Sequence, residues 1–312
     1  MKQWLAHPWL GPLLALFAVY GLFAWLAPDT FVGAINLMTM ARQTVVVALA
    51  AVGMTYIILL GGIDLSVGSS VALTTVLVAR ALQQGAPPLL ACALGILGAT
   101  LCGLLNGAVI TAFAITPFIA TLGSMSVLRG AAKGLSDEQK IDADPRGLEV
   151  LMAAPPPGHG WLPPGVWILA LVALLAALVL RYSVFGRHVV AVGSNELTAR
   201  LCGVPVRRVK IGVYTLAGAL AGLAGVMEYS TLTVGDPTDS LGLELEVIAA
   251  VVIGGGSLAG GQGSIPGAML GALLMTEIKT GCTHVGLPNW VQEILTGVII
   301  VAAVALDKLR KR

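Results

Sequence analysis

The sequence predicts an all-α protein threaded through a membrane: a polytopic bundle of about ten transmembrane helices with both chain ends cytoplasmic. Three observations predict it. Of 312 residues, 57% are hydrophobic and 11% are charged, against about 25% charged in soluble domains. Mean hydropathy is +0.90, more apolar surface than a globular core can hide. The charge-poor runs approach the roughly 20 residues that cross a bilayer as a helix, and 39 glycines favour close helix–helix approach in lipid.

The crossings follow in order. After Lys2, the apolar run of MKQWLAHPWLGPLLALFAVYGLFAWLAP outlasts the ~7–15-residue core of a signal peptide, so 9–27 reads as the first crossing. Further runs lie at 43–61, 66–83, 88–113, 115–133, 165–181, 209–230, 244–262, 264–281 and 289–306. The eighth, LEVIAAVVIGGGSLAGG, is rich in glycine. The whole chain, 1–312, reads as a single membrane domain.

Charge orients it. Lys and Arg concentrate in cytoplasmic loops. From Arg181 to Lys210 there are six basic residues and one acid, Glu196, and the tail DKLRKR is basic. The loop 134–164 carries Asp137, Glu138, Asp142, Asp144 and Glu149, and 231–246 carries four acids and no base. Ten crossings from a cytoplasmic start put loop 182–208 and the tail inside and both acidic loops outside. The proline-rich APPPGHGWLPPG in the outer loop reads as a stiff linker.

Two segments depart from plain helix. LLGGIDLSVGSS (Leu59–Ser70) holds Asp64, the only acid between Asp29 and Asp137. A carboxylate at the bilayer centre costs roughly 2.5–3.5 kcal/mol. Asp64 or Ser66 therefore reads as a cap or tight turn before the third crossing; a structured break beside the transport path is the sharper alternative. The second segment, IGGGSLAGGQGSIPGAMLGALL (Ile253–Leu274), has Pro266 placed to start a helix and Gly267 and Gly271 spaced for helix contact. It contains no Lys, so it is not a phosphate loop. Asn106, Thr121 and Ser124 are polar positions in otherwise apolar crossings. They read first as helix-bonding groups, with Asp64, Asn106, Thr121 and Ser124 the residues to test as a cargo pathway.

The stretch GSNELTARLCGVPVRRVK (Gly193–Lys210) is polar amid apolar runs. Asn195 suits an N-cap, and Glu196 and Arg200 complement the helix dipole. Gly203 suits a left-handed C-terminal position, and Pro205 prevents continuation. Leu197 and Leu201 share a face. A two-turn helix is unstable alone, so it needs a partner: lipid, or the groove of a cytoplasmic protein.

Four cysteines (Cys92, Cys102, Cys202, Cys282) and four histidines are scattered without metal-ligand spacing; the cysteines read as small buried apolar groups. Nothing suggests nucleic acid.

Five stretches, GGIDLSVGS (61–69), GLLNG (103–107), PFIATLGSMSVLRG (117–130), FGRHVVAVGSNELTARLCGV (185–204) and IAAVVIGGGSLAGGQGSIPGAMLGALL (248–274), resemble in order the permease subunit of ribose-type ATP-binding cassette importers. The resemblance implies a multi-pass protein of the bacterial inner membrane, paired with a second permease subunit. A cytoplasmic ATPase that alone uses ATP and a periplasmic sugar-binding protein complete the assembly; the permease binds no cofactor. It implies cargo of ribose or xylose type, with related permeases carrying branched-chain amino acids or nucleosides. It places ATPase coupling on Gly193, Asn195, Glu196, Leu197, Ala199, Arg200, Leu201 and Gly203. One stretch, AAKGLSDEQKI (Ala131–Ile141), departs from the family's glycine-rich turn. An ion-coupled transporter would instead need Asp64, Glu228, Glu277 or Glu293 as intramembrane carriers.

Overall fold

Proline opens several of the helices, where its missing N–H costs nothing. The computed structural model describes residues 10–154 and 162–310, so part of the proline-rich linker, 155–161, lies outside the described residues. The helices are α1 (Leu10–Leu26), α2 (Pro28–Phe31), α3 (Ala34–Leu59), α4 (Val67–Gln83), α5 (Pro88–Ala112), α6 (Pro117–Leu135) and α7 (Pro164–Tyr182). They continue with α8 (Val184–Ser194), α9 (Glu196–Leu201), α10 (Val206–Leu232), α11 (Leu243–Ile253), α12 (Ile265–His284) and α13 (Asn289–Arg310). Two short strands, β1 (Ile141–Asp142) and β2 (Val234–Gly235), pair antiparallel with Ile141 opposite Gly235.

Four of these, α3, α5, α7 and α10, are long and apolar enough to cross a membrane. α3 is the buried axis: every residue from Thr44 to Leu59 is buried, as expected of a helix that is apolar all round. α10 packs most extensively on α5. There Gly103 and Gly218 face each other, and a Cβ added to either would come within 3.0 Å of the other's Cα. The small residues of GLLNG therefore let two backbones touch. The outward faces of α5 and α7 expose Leu89, Leu101, Leu105, Leu171 and Leu174, a surface that lipid, not water, accommodates.

Nine of the ten expected crossings coincide with a helix. The eighth does not. α11 stops at Ile253 after 11 residues, about 16 Å and half a bilayer core. The cause is the glycine run: Gly255, Gly260 and Gly261 all have positive φ and cannot continue a helix. The expected acidic loop is also not simply exterior. Gly235 packs beside Thr75 and Ala79 of α4, whereas Ser240 and Glu244 press on Gly68 at the start of α4. Between them the chain descends about 16 Å along α4, and α11 begins deep in the bundle.

The chain before α4 is broken in the same way. Gly62 lies against the Tyr214 hydroxyl, inside α10, and Val71 and Thr74 lie against Gly225 of α10. Residues 63–65 therefore re-enter the bundle without helical hydrogen bonds.

At the far end, the described residues that follow α6 form a cap. Lys140 pairs with Asp236 at 3.0 Å, Arg129 Nη1 donates to Pro237 O and Asp239 O, and Arg80 reaches Asp137. The divergent stretch 131–141 thus continues α6 and supplies the first strand. The expectation of buried cysteines holds at Cys282 alone: Cys92 and Cys102 are half-buried, and Cys202, just past α9, is exposed.

Candidate functional site

α9 forms as its residues dictate. Asn195 caps it, its Oδ1 accepting from Thr198 N at 2.8 Å. Gly203 takes φ +83°, the left-handed conformation that ends the helix. Glu196 binds Arg200 at 3.0 Å and Lys210 of α10 at 2.7 Å, tying α9 to the start of α10. The Lys210 hydrogen bond, against partial desolvation, holds the Glu196 carboxyl below its ordinary value of 4.5. Ala199 is buried against the bundle, while Leu197 and Leu201 are 69% and 80% exposed. Two leucines this exposed on a six-residue helix make an apolar face that no described residue covers.

α9 is seated through α8. Gly193 lies directly on the backbone carbonyl of Leu59 at the end of α3, and a Cβ there would overlap that oxygen. The same carbonyl accepts from Gly261 N at 2.8 Å. A Cβ on Gly261 would in turn meet the Ser194 hydroxyl at 2.6 Å. Three chain segments thus meet backbone to backbone, without side chains between them. Both glycine-rich segments of the sequence are in this junction, beside the predicted coupling residues. Sequence reasoning missed both this contact and α8, the 11-residue helix that delivers α9.

The four predicted pathway residues are brought together in part. Ser66 N and Oγ both donate to Asp64 Oδ1, at 2.8 and 2.6 Å, and Asn106 Nδ2 donates to Ser66 Oγ at 3.0 Å. Thr121 Oγ1 accepts from Leu65 N at 3.2 Å and lies 3.2 Å from Ile63 O. The side chains of this knot, Asp64, Ser66, Asn106 and Thr121, are all buried. Ser124 stands aside, bonded to Thr121 O in its own helix. The knot serves the irregular backbone of 62–66, whose polar groups would otherwise be unpaired at depth. Ser66 precedes α4 but makes no side-chain cap; its hydroxyl serves Asp64 instead. The segment is a structured break inside protein, and the expected turn is part of it, in the bond from Ser66 N to Asp64.

The family model described as branched-chain amino acid transport system / permease component matches residues 36–304. The chain is 38% identical to the ribose import permease protein RbsC of Bacillus subtilis (strain 168), covering 96% of this chain and 92% of that protein. It is 37% identical to the ribose import permease protein RbsC of Escherichia coli (strain K12), over 99% of this chain and 96% of the relative. It is 33% identical to the L-arabinose ABC transporter permease protein AraH of Azospirillum brasilense, over 96% and 88%. No solved structure matches. With a family model aligned from the start of α3 to near the end of α13, and relatives aligned almost end to end, this multi-pass membrane protein belongs to the family of transport-system permease components.

Proposed function

We propose that the chain is the permease subunit of an ATP-binding cassette importer that carries a monosaccharide. The carrying observation is α9: a capped helix with two bare leucines, seated by backbone contact on the end of the central helix. A partner that grips Leu197 and Leu201 and moves would push α8 against α3 and the 254–264 loop, with no flexible side chain to absorb the motion. A cytoplasmic ATPase is such a partner, and the basic residues around α9 suit the cytoplasmic face.

The rest of the assembly follows from this reading. The chain crosses the inner membrane ten times, the eighth crossing made by a re-entrant loop and a half-helix, with both ends cytoplasmic. A second permease subunit, identical or not, completes the pathway. The cap of β1 and β2 receives a periplasmic binding protein. ATP is used by the ATPase alone, and alternating access draws its energy from the ATPase's different affinity for the two permease states. The ribose and arabinose relatives favour a sugar; the family's description names branched-chain amino acids, the second reading.

The test is reconstitution of permease, ATPase and binding protein in proteoliposomes. Uptake of labelled D-ribose or L-arabinose, with none of leucine, is expected. Leu197→Asp and Leu201→Asp should insert normally but lose ATPase co-purification and uptake by about tenfold or more each. Uptake of leucine alone, or normal ATPase binding by both variants, overturns the reading.

A further inference from the structure

A space of about 1180 Å³ opens at the end of the bundle opposite α9. Three helices fix its position. α3 starts at the space and ends at the Gly193 junction. α10 starts beside Glu196 and ends at the space with Glu228 and Thr231. α12 starts at the junction and ends at the space with Lys279 and His284. α11, a half-helix, contributes Leu243 and Glu246 to the lining of this chamber. Its floor is apolar, with Val47 and Leu243, and its wall is polar.

The wall contains charges set well inside the bundle. Arg42 is the ninth residue of α3, about 12 Å in from its start. A charged group inside a membrane protein is costly unless it faces protein or a water-filled cavity. Most of the wall is internally satisfied. Lys279 pairs with Glu246 at 3.0 Å, Thr280 donates to Gln43 at 3.0 Å, and His284 meets Asn36 at 2.9 Å. Two groups are not. Arg42 Nε is buried with no hydrogen-bond partner, and neither Arg42 nor Glu228 has a hydrogen bond or salt bridge among the described residues. A buried donor left unmade costs free energy that a ligand can recover. The volume exceeds the ~300–1,000 Å³ of an ordinary small-molecule site, as suits an open vestibule.

We propose that this chamber holds the cargo on its way in, with Arg42 donating to, and Glu228 accepting from, hydroxyls of a monosaccharide whose ring C–H face rests on Val47 and Leu243. A fork of planar donors and a two-oxygen acceptor match adjacent hydroxyls. The apolar floor matches the ring. The inference rests on the importer reading above for the identity of the cargo.

Two measurements on the full assembly test it. In proteoliposomes, with binding protein in excess, Arg42→Gln and Glu228→Gln should each lower D-ribose or L-arabinose uptake about tenfold. ATPase co-purification should be unchanged, and Arg42→Lys should recover part of the loss. Separately, Gln43→Cys in a background lacking the four native cysteines should react with a membrane-impermeant maleimide from the periplasmic side. Ribose or arabinose, but not leucine, should slow that reaction. Sugar uptake by the unmodified assembly together with unaffected Arg42→Gln and Glu228→Gln variants overturns the chamber and leaves the importer standing. Absence of sugar uptake, with sugar still protecting the introduced thiol, overturns the importer reading and leaves the chamber. A Gln43→Cys variant that does not react, or whose thiol no sugar protects, overturns the chamber in either case.

Discussion

At the α9 end, Gly193 lies on Leu59 with no side chain between two chain segments, and Gly261 closes on the same carbonyl. At the other end, Arg42, Gln43, Glu228 and Lys279 stand around an open space, and Arg42 and Glu228 have no bonding partner among the described residues. The first region is dry, close-packed backbone; the second is side chains around a void. A junction of this kind has one arrangement, because packed interiors shift between discrete states and do not bend continuously. A chamber lined by side chains tolerates change, because its wall groups are rotatable side chains, and Arg42 and Glu228 among them have no bond among the described residues. The difference assigns rigidity to the end where motion would enter and adaptability to the end where cargo would sit.

The largest expected effect breaks the rigid end. Gly193→Val places a branched side chain onto the Leu59 carbonyl, where backbone, not a flexible tip, is in the way. Overpacking of this kind costs about 1–3 kcal/mol and occasionally more, and the top of that range is expected here. Thermal unfolding in detergent should fall by several degrees, and ATP hydrolysis should uncouple from uptake. The control lies in the chamber wall: Thr231 is exposed and bonds only within α10, so Thr231→Ala should change stability by less than about 0.5 kcal/mol. Equal melting shifts in the two variants would erase the contrast between the ends.

A middle-sized effect probes the knot between them. Thr121→Val keeps the shape but removes the acceptor for Leu65 N and the hydroxyl beside Ile63 O. A buried amide left unpaired costs about 1–3 kcal/mol. Thr121→Ser should restore most of it. Hydrogen exchange at the Leu65 amide reports directly, with protection lost in the valine variant and recovered in the serine one. Unchanged protection in Thr121→Val would mean that the re-entrant segment is held by something other than this hydroxyl.

Much of this was readable before the structure, and the unreadable part has a common cause. α9 was legible to the residue, because Asn195, Glu196, Gly203 and Pro205 act through local chemistry within one or two turns. The helices that coincide with nine of the ten expected crossings were legible from hydropathy. The eighth was not, because an apolar, glycine-rich sequence looks alike whether it is helix or buried loop, and only the positive φ of Gly255, Gly260 and Gly261 separates them. The knot was half legible: Asp64, Asn106 and Thr121 stood out as polar, but nothing in their spacing says that they meet. The chamber was missed. The N-terminal part of α3, with Asn36 and Arg42, lies outside the expected crossing at 43–61, yet it is the chamber wall. Long-range juxtaposition across α3, α10 and α12 leaves no periodic trace.

The smallest effect tests how α9 is tied to the rigid end. Glu196 is shared between Arg200 on its own helix and Lys210 on α10. Its side chain is 41% exposed, so solvent screens the pairs and they contribute less than about 1 kcal/mol. Because the folded-state value lies below the ordinary 4.5, the contribution is fully present above that ordinary value. It is lost as pH falls through the lower folded one. Glu196→Gln keeps the shape and the capped helix but cannot carry the charge. The parent should therefore melt slightly higher than the variant near neutral pH, and the two curves should converge on acidification below 4.5. In uptake the same variant should show a modest loss that high salt imitates in the parent, since screening weakens the same two pairs. A melting difference that stays constant from neutral to acid pH would mean that Glu196 acts through packing and that its charge does not tie the lever to α10.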